Sequence, residues 1–144
     1  MSRLAARARR DHGFVAAELV IGVGLLVLPV ALLVLTLPGW SERQVSSRAI
    51  AREVARTLAG ERWCDVAGGR ALVASMAANL GMPPADVELA TDCVPGAALV
   101  PGGEVVARVT VRMPAVLLPG IGAVGAWTWT AVHREPVDPF GAAP

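Results

Sequence analysis

Hydrophobic and polar positions follow distinct rhythms along this chain. Residues 14–38 (FVAAELVIGVGLLVLPVALLVLTLP) form a continuous apolar run interrupted by a single charge, Glu18. As a helix this run extends ~37 Å at 1.5 Å per residue. A bilayer hydrocarbon core is ~30 Å thick, so the run is predicted to span a membrane with some tilt. Pro29 lies near its middle, where it removes a helical hydrogen bond and is expected to bend the helix.

Past the run the period becomes helical and amphipathic. Over residues 41–60, Ile50, Val54 and Leu58 make one stripe and Arg48, Arg52 and Arg56 another. The two are offset by about 200°, placing them on opposite faces. Gly60 is the expected stop. The Arg stripe reads as a solvated face, with lipid headgroups or a neighbouring subunit as the sharper alternative. Residues 70–80 (RALVASMAANL) predict a short second helix, with Gly81 at its boundary and Pro83-Pro84 beyond.

The period then changes to two. Val87, Leu89, Thr91 and Cys93 alternate with Glu88, Ala90 and Asp92. Val105, Ala107, Val109, Val111 and Met113 alternate with Glu104, Arg108, Thr110 and Arg112. Trp127, Trp129 and Ala131 alternate with Thr128, Thr130 and Val132. Pro/Gly-rich stretches, VPGAALVPGG and PAVLLPGIGAVG, separate these three strands and predict an antiparallel meander. Its apolar face is expected to pack on the amphipathic helix, with the two Trp in the core. The fold class is therefore α+β. The segments are a leader (1–13), a transmembrane helix (14–38), a helical extension (39–60), a small domain (61–134) and a flexible tail (135–144).

Composition and charge sharpen the picture. The chain has 144 residues, room for one modest domain, and is 54% hydrophobic. Its mean hydropathy of +0.54 is concentrated in the apolar run. The net charge of +1 hides an asymmetry: Arg3, Arg7, Arg9 and Arg10 face only Asp11 before Gly13, whereas acids outnumber Arg after it. The positive-inside rule then places residues 1–13 in the cytoplasm and the C-terminal domain outside. A mature chain with this balance has no electrostatic footprint for nucleic acid. The apolar run is also too long for an ordinary secretory signal, and TLPGW is a poor cleavage site.

Candidate chemistry is sparse. Cys64 and Cys93 are the two cysteines. In a small extracytoplasmic domain a bridge is the default reading, contributing ~3.5 kcal/mol in the chain-entropy model, with buried free thiols as the alternative. Two cysteines are too few ligands for a metal site. His12 lies in the leader and His133 is the remaining His. No G-x-S-x-G, H-E-x-x-H or phosphate-binding loop occurs. No enzymatic activity, cofactor or small-molecule substrate is expected.

Glu18 is the most informative residue. A carboxylate within a span costs ~2.5–3.5 kcal/mol at the centre and less toward the ends, so such residues usually face a partner. Snorkelling to the headgroups is the simpler alternative. Gly13, Phe14 and Glu18, preceded by the Arg-rich stretch and followed by the apolar run, resemble the processing site of type IV pilins and pseudopilins. That resemblance implies prepilin peptidase cleavage between Gly13 and Phe14. It further implies that the freed amine of one subunit pairs with Glu18 of its neighbour, fixing axial register.

The layout as a whole is similar to TadE-like pseudopilins of tight-adherence pilus systems, as is the stretch RVTVRMPAVLLPGIGAVGAWTWTAVHREPVDPF. The resemblance implies a role in pilus assembly or adhesion. Its implied partners are prepilin peptidase, other pilin subunits, an assembly platform and the lipid bilayer. Two departures, Leu19 in place of an aromatic and a chain longer than the major pilins, favour a minor, initiating or tip subunit. An uncleaved single-span protein anchoring an interaction domain and a pseudopilin of a type II-like secretion system are the rival readings.

Overall fold

A computed structural model describes residues 2–118 and 122–140, with side chains over 17–116 and 122–140. The chain is α+β and divides into two compact units, Met1–Pro38 and Gly39–Pro144. Helix α1, Ser2–Ala59, contributes to both, and α2 covers Val66–Asn79. A 3-10 turn at Pro84–Asp86 leads into β1, Val87–Thr91. Strands β2 (Glu104–Arg112), β3 (Val116–Leu118), β4 (Gly122–Val124) and β5 (Thr128–Pro136) follow.

In the first unit, α1 continues as helix through Pro29 and on to Pro38. The Thr36 hydroxyl donates to the carbonyls of Leu32 and Leu33, both at 3.0 Å, which leaves no unpaired hydroxyl on the apolar helix.

The second unit is built on the C-terminal part of α1. Ser47, Ile50, Ala51, Val54, Ala55, Leu58 and Ala59 are all buried, the i, i+3, i+4 stripe of a helix with one face in a core. Arg48, Arg52 and Arg56 are exposed, as the offset stripes predict. The helix stops where Gly60 donates to Arg56 and Thr57 carbonyls at 3.1 and 3.2 Å.

Helix α2 starts earlier than the expected residue 70. Asp65 caps it by accepting from the Gly68 amide at 2.9 Å. Gly69 is buried where a Cβ would stand 3.2 Å from Leu89 Cδ2 and 3.5 Å from Leu58 Cδ2, so its lack of a side chain lets α2 approach both. The exit is a Schellman turn. Met82 N–H donates to Ala77 O at 2.8 Å and Gly81 N–H to Ala78 O at 3.1 Å, with Gly81 at φ +70°. Met82 then buries beside Ala77 in the core.

The three-stranded sheet has the order β1-β2-β5, antiparallel throughout. Its registers pair Leu89 with Val109 and Val109 with Ala131, so these three residues lie in one row across the sheet. With Val105, Ala107, Val111 and Met113 they form the face covering α1 and α2. Full burial of each large aliphatic here contributes about 1.5–3 kcal/mol.

Three sequence expectations change. The stretch read as a Pro/Gly loop after β2 carries a second, two-stranded sheet, with Val116 paired to Val124 and Leu118 to Gly122. An all-apolar segment has no period to distinguish strand from loop, which is why it escaped notice. The last strand begins at Thr128, one residue beyond Trp127, and runs to Pro136. Residues 135–137 therefore belong to the domain rather than to a tail: Glu135 pairs with Val105, Val137 is buried, and its backbone exchanges bonds with Gly102 and Gly103 at 3.1 and 2.9 Å. The loop before β2 is also pinned, because Cys64 N–H donates to Ala97 O at 2.8 Å and Gly96 N–H to Cys64 O at 2.9 Å.

Candidate functional site

One helix of the chain, over Ala17–Ala59 of the described residues, is long and apolar enough to cross a membrane. This is consistent with a single-pass membrane protein. Over its first part large apolar side chains stand uncovered among the described residues: Leu19, Leu25, Leu26 and Leu35 are all more than half exposed. In water that surface would be strongly unfavourable, and a lipid or protein environment is the physical remedy.

Glu18 is exposed on this helix, on a face shared with Leu19, Gly22, Val23, Leu26 and Val27. Nothing within 4 Å of Gly22 or Gly24 would meet a Cβ, so these glycines leave open space along the helix. Gly13 and Phe14 fall on helical backbone, but their side chains lie outside the described ones.

At the start of the second unit the structure assembles a cluster that the sequence did not disclose. Trp40 donates its indole N–H to the Pro114 carbonyl at 3.0 Å. Its ring meets that of Trp127 edge to face at 6.0 Å, and Trp127 meets Trp129 likewise at 6.4 Å. The Arg48 guanidinium lies over the Trp129 ring, 5.6 Å from its centroid. Arg43 donates to the carbonyl of Arg112 and stands 3.6 Å from the Asp86 carboxylate. Of the two Trp expected in the core, Trp129 packs against it and Trp127 remains 38% exposed. The Trp129 indole nitrogen is buried without a partner among the described residues. The missed signal was a Trp and an Arg shortly after the apolar run, which are residues typical of a membrane–water boundary.

Cys64 and Cys93 are joined in a disulfide, with Cα atoms 6.0 Å apart and a sequence separation of 29. The bridge ties the segment after α1 to the end of β1. His133 Nε2 lies 3.1 Å from Glu135 Oε2, a local contact between alternate positions of β5. Among the described residues no group of three or more His, Cys, Asp or Glu side chains is arranged to hold a metal ion.

Comparison with protein-family profiles, curated proteins and solved structures returns no match.

Proposed function

We propose that this chain is a minor pilin or pseudopilin subunit of a tight-adherence, type IV-like pilus. In this reading prepilin peptidase cuts between Gly13 and Phe14, and the subunit contributes to pilus assembly or adhesion. The N-terminal segment faces the cytoplasm and the disulfide-bonded domain lies outside the membrane. The partners are other pilin subunits, the assembly platform and the bilayer.

The observation that carries the reading is Glu18, an exposed carboxylate in the otherwise uncharged run 14–38, five residues past Gly13. Left alone in hydrocarbon, that carboxylate is unfavourable by ~2.5–3.5 kcal/mol at the centre and less near the ends. Cleavage creates a primary amine at Phe14, about one helical turn away in sequence. Pairing the amine of one subunit with Glu18 of the next neutralises two charges at once and sets their stagger. The continuation of the span into a helix covered by an antiparallel sheet supports the same reading.

The test is the N-terminus of the product. The protein is co-expressed with a prepilin peptidase from a tight-adherence system and weighed intact, alongside Gly13→Ala. The proposal expects a peptidase-dependent product beginning at Phe14 that the substitution abolishes. A full-length product under demonstrably active peptidase would overturn it in favour of an uncleaved, membrane-anchored interaction domain.

A further inference from the structure

The loop over 94–103, between β1 and β2, has no polar side chain anywhere along it. Backbone bonds pin it nonetheless. Leu99 N–H donates to Arg62 O at 3.1 Å and Gly103 N–H to Val100 O at 2.9 Å, in addition to the bonds with Cys64 and Val137. Val94 and Val100 are each more than two-thirds exposed, and Trp63, bridged to Ala98, is more than half exposed. The two valines, the Cys64–Cys93 disulfide, Glu104 and Val137 line a cleft of about 300 Å³. Apolar surface that is open to water and already fixed in shape favours a partner, because covering it costs little further order.

The rim of this cleft is acidic. Each segment that lines it carries an exposed acid at or beside the lining residue: Asp65 after Cys64, Asp92 before Cys93, Glu104 itself and Asp138 after Val137. Backbone amides of Gly68, Val106 and Phe140 donate to Asp65, Asp92 and Asp138 at 2.9, 2.8 and 2.8 Å, which positions these carboxylates without cancelling their charge. Against them stand Arg62 and Arg134, the latter 3.6 Å from Glu104.

The complementary surface is on α1 of the same domain. Val45, Ala49, Arg52 and Arg56 are exposed and spaced i, i+4, i+7 and i+11, so they share one stripe about 60° wide. Arg48 is engaged over the Trp129 ring and Arg43 beside Asp86, but Arg52 and Arg56 form no ion pair among the described residues. The stripe is thus apolar at one end and cationic at the other. An Arg suits an apolar cleft with an acidic rim, since its methylene stem packs on the wall while the guanidinium reaches a carboxylate.

We infer that the exposed α1 stripe of one copy docks in the disulfide-walled cleft of a second copy, with Arg52 and Arg56 facing the acidic rim. The chain itself supplies both halves of the match, which is why the occupant is another copy. The two surfaces differ, so the contact is heterologous, and copies add head to tail. The inference goes beyond the proposed function: it uses only the disulfide-bonded domain and does not require cleavage at Gly13.

The test uses the full, uncleaved chain in detergent, where copies are free to take any mutual orientation. Both native cysteines are in the disulfide, so a short bismaleimide reacts only with introduced ones. Ala49→Cys and Val100→Cys, both at exposed positions, are made in differently tagged chains. Mixing them should give a cross-linked pair of unlike tags about five-fold or more above the dimer from either variant alone, and salt should weaken it. Arg52→Glu with Arg56→Glu in the Ala49→Cys chain should abolish the product, and Glu104→Arg in the Val100→Cys chain should restore it. The urea midpoint of Trp emission checks that each variant is folded. Equal cross-linking by Val100→Cys alone would overturn the heterologous contact in favour of cleft-to-cleft pairing. No mixed product from folded variants would overturn the docking and leave the Arg stripe to solvent or anionic lipid. A product indifferent to the two glutamates, or one that Glu104→Arg does not restore, would overturn the pairing of Arg with the rim. Failure of the peptidase to cut at Gly13 changes none of these results.

Discussion

Trp40 donates its indole N–H to the Pro114 carbonyl at 3.0 Å, across 74 positions of sequence, and so joins the residues after the apolar run to the end of the central strand. Pro114 supplies a carbonyl without an amide of its own, and the strand ladder ends beside it. The bond therefore gives a partner to an acceptor that the sheet leaves over. Trp40→Phe keeps a ring against Trp127 and removes only the donor. It should destabilise the domain by about 0.5–1.5 kcal/mol, seen as a lower urea midpoint of Trp emission in the detergent-solubilised chain. No shift would mean that water replaces the indole at no cost.

Ile50 and Leu58 are fully buried beneath the sheet, whereas Arg52 lies on the opposite face of the same helix. Leu58→Ala should lower stability by about 2–5 kcal/mol, with Ile50→Ala similar. Arg52→Ala should stay within about 0.5 kcal/mol. Urea unfolding of the three variants separates the faces, and equal losses would contradict the packing described.

Gly81 closes α2 at φ +70°, and nothing lies within 4 Å of where its Cβ would be. Sterically Gly81→Ala is free, so its whole effect is the left-handed backbone, about 1–2 kcal/mol of destabilisation. Gly81→Asn should recover part of that, since Asn tolerates the conformation better. A neutral Gly81→Ala would show that α2 ends differently in solution.

The Cys64–Cys93 bridge closes a loop of 29 positions, for which chain entropy gives about 3–4 kcal/mol. Replacing both by Ser should destabilise the domain on that scale. Reduction under denaturing conditions, followed by alkylation, should label both thiols, whereas the untreated protein should take up none. Alkylation of the untreated, unfolded chain would contradict the bridge.

Glu18→Gln removes a charge from the apolar helix without changing its shape. Under the proposed function it should leave insertion and maturation intact and remove the subunit from sheared filaments, read by immunoblot of the cell-free fraction. Filament incorporation at wild-type level would argue that Glu18 merely reaches the headgroups.

Much of this protein was legible in residue order because much of it is local and periodic. An apolar run with one charge marks a segment long enough to cross a membrane, and the Ile50–Val54–Leu58 stripe names the buried helix face before any partner is known. Alternation over 87–93 and 104–113 separates inward from outward positions, since a strand reverses its side chains at every residue. Boundaries were less legible. Gly68 and Gly69 weigh against helix by propensity, yet α2 includes them because Gly69 must fit against Leu58 and Leu89, a constraint arising from a distant strand.

Tertiary structure alone decided the rest. Residue order by itself determined the apolar segment, its charge, the amphipathic stalk, the cysteine pair and the alternating strands, all carried by composition or short-range period. It could not place Trp40 against Pro114 and Trp127, extend β5 to meet Gly102 and Gly103, or pair Val116–Leu118 with Gly122–Val124. Each of these depends on contacts between residues far apart in sequence. An apolar segment without periodicity fits a loop, a strand or a lipid-facing turn equally well until its neighbours are known.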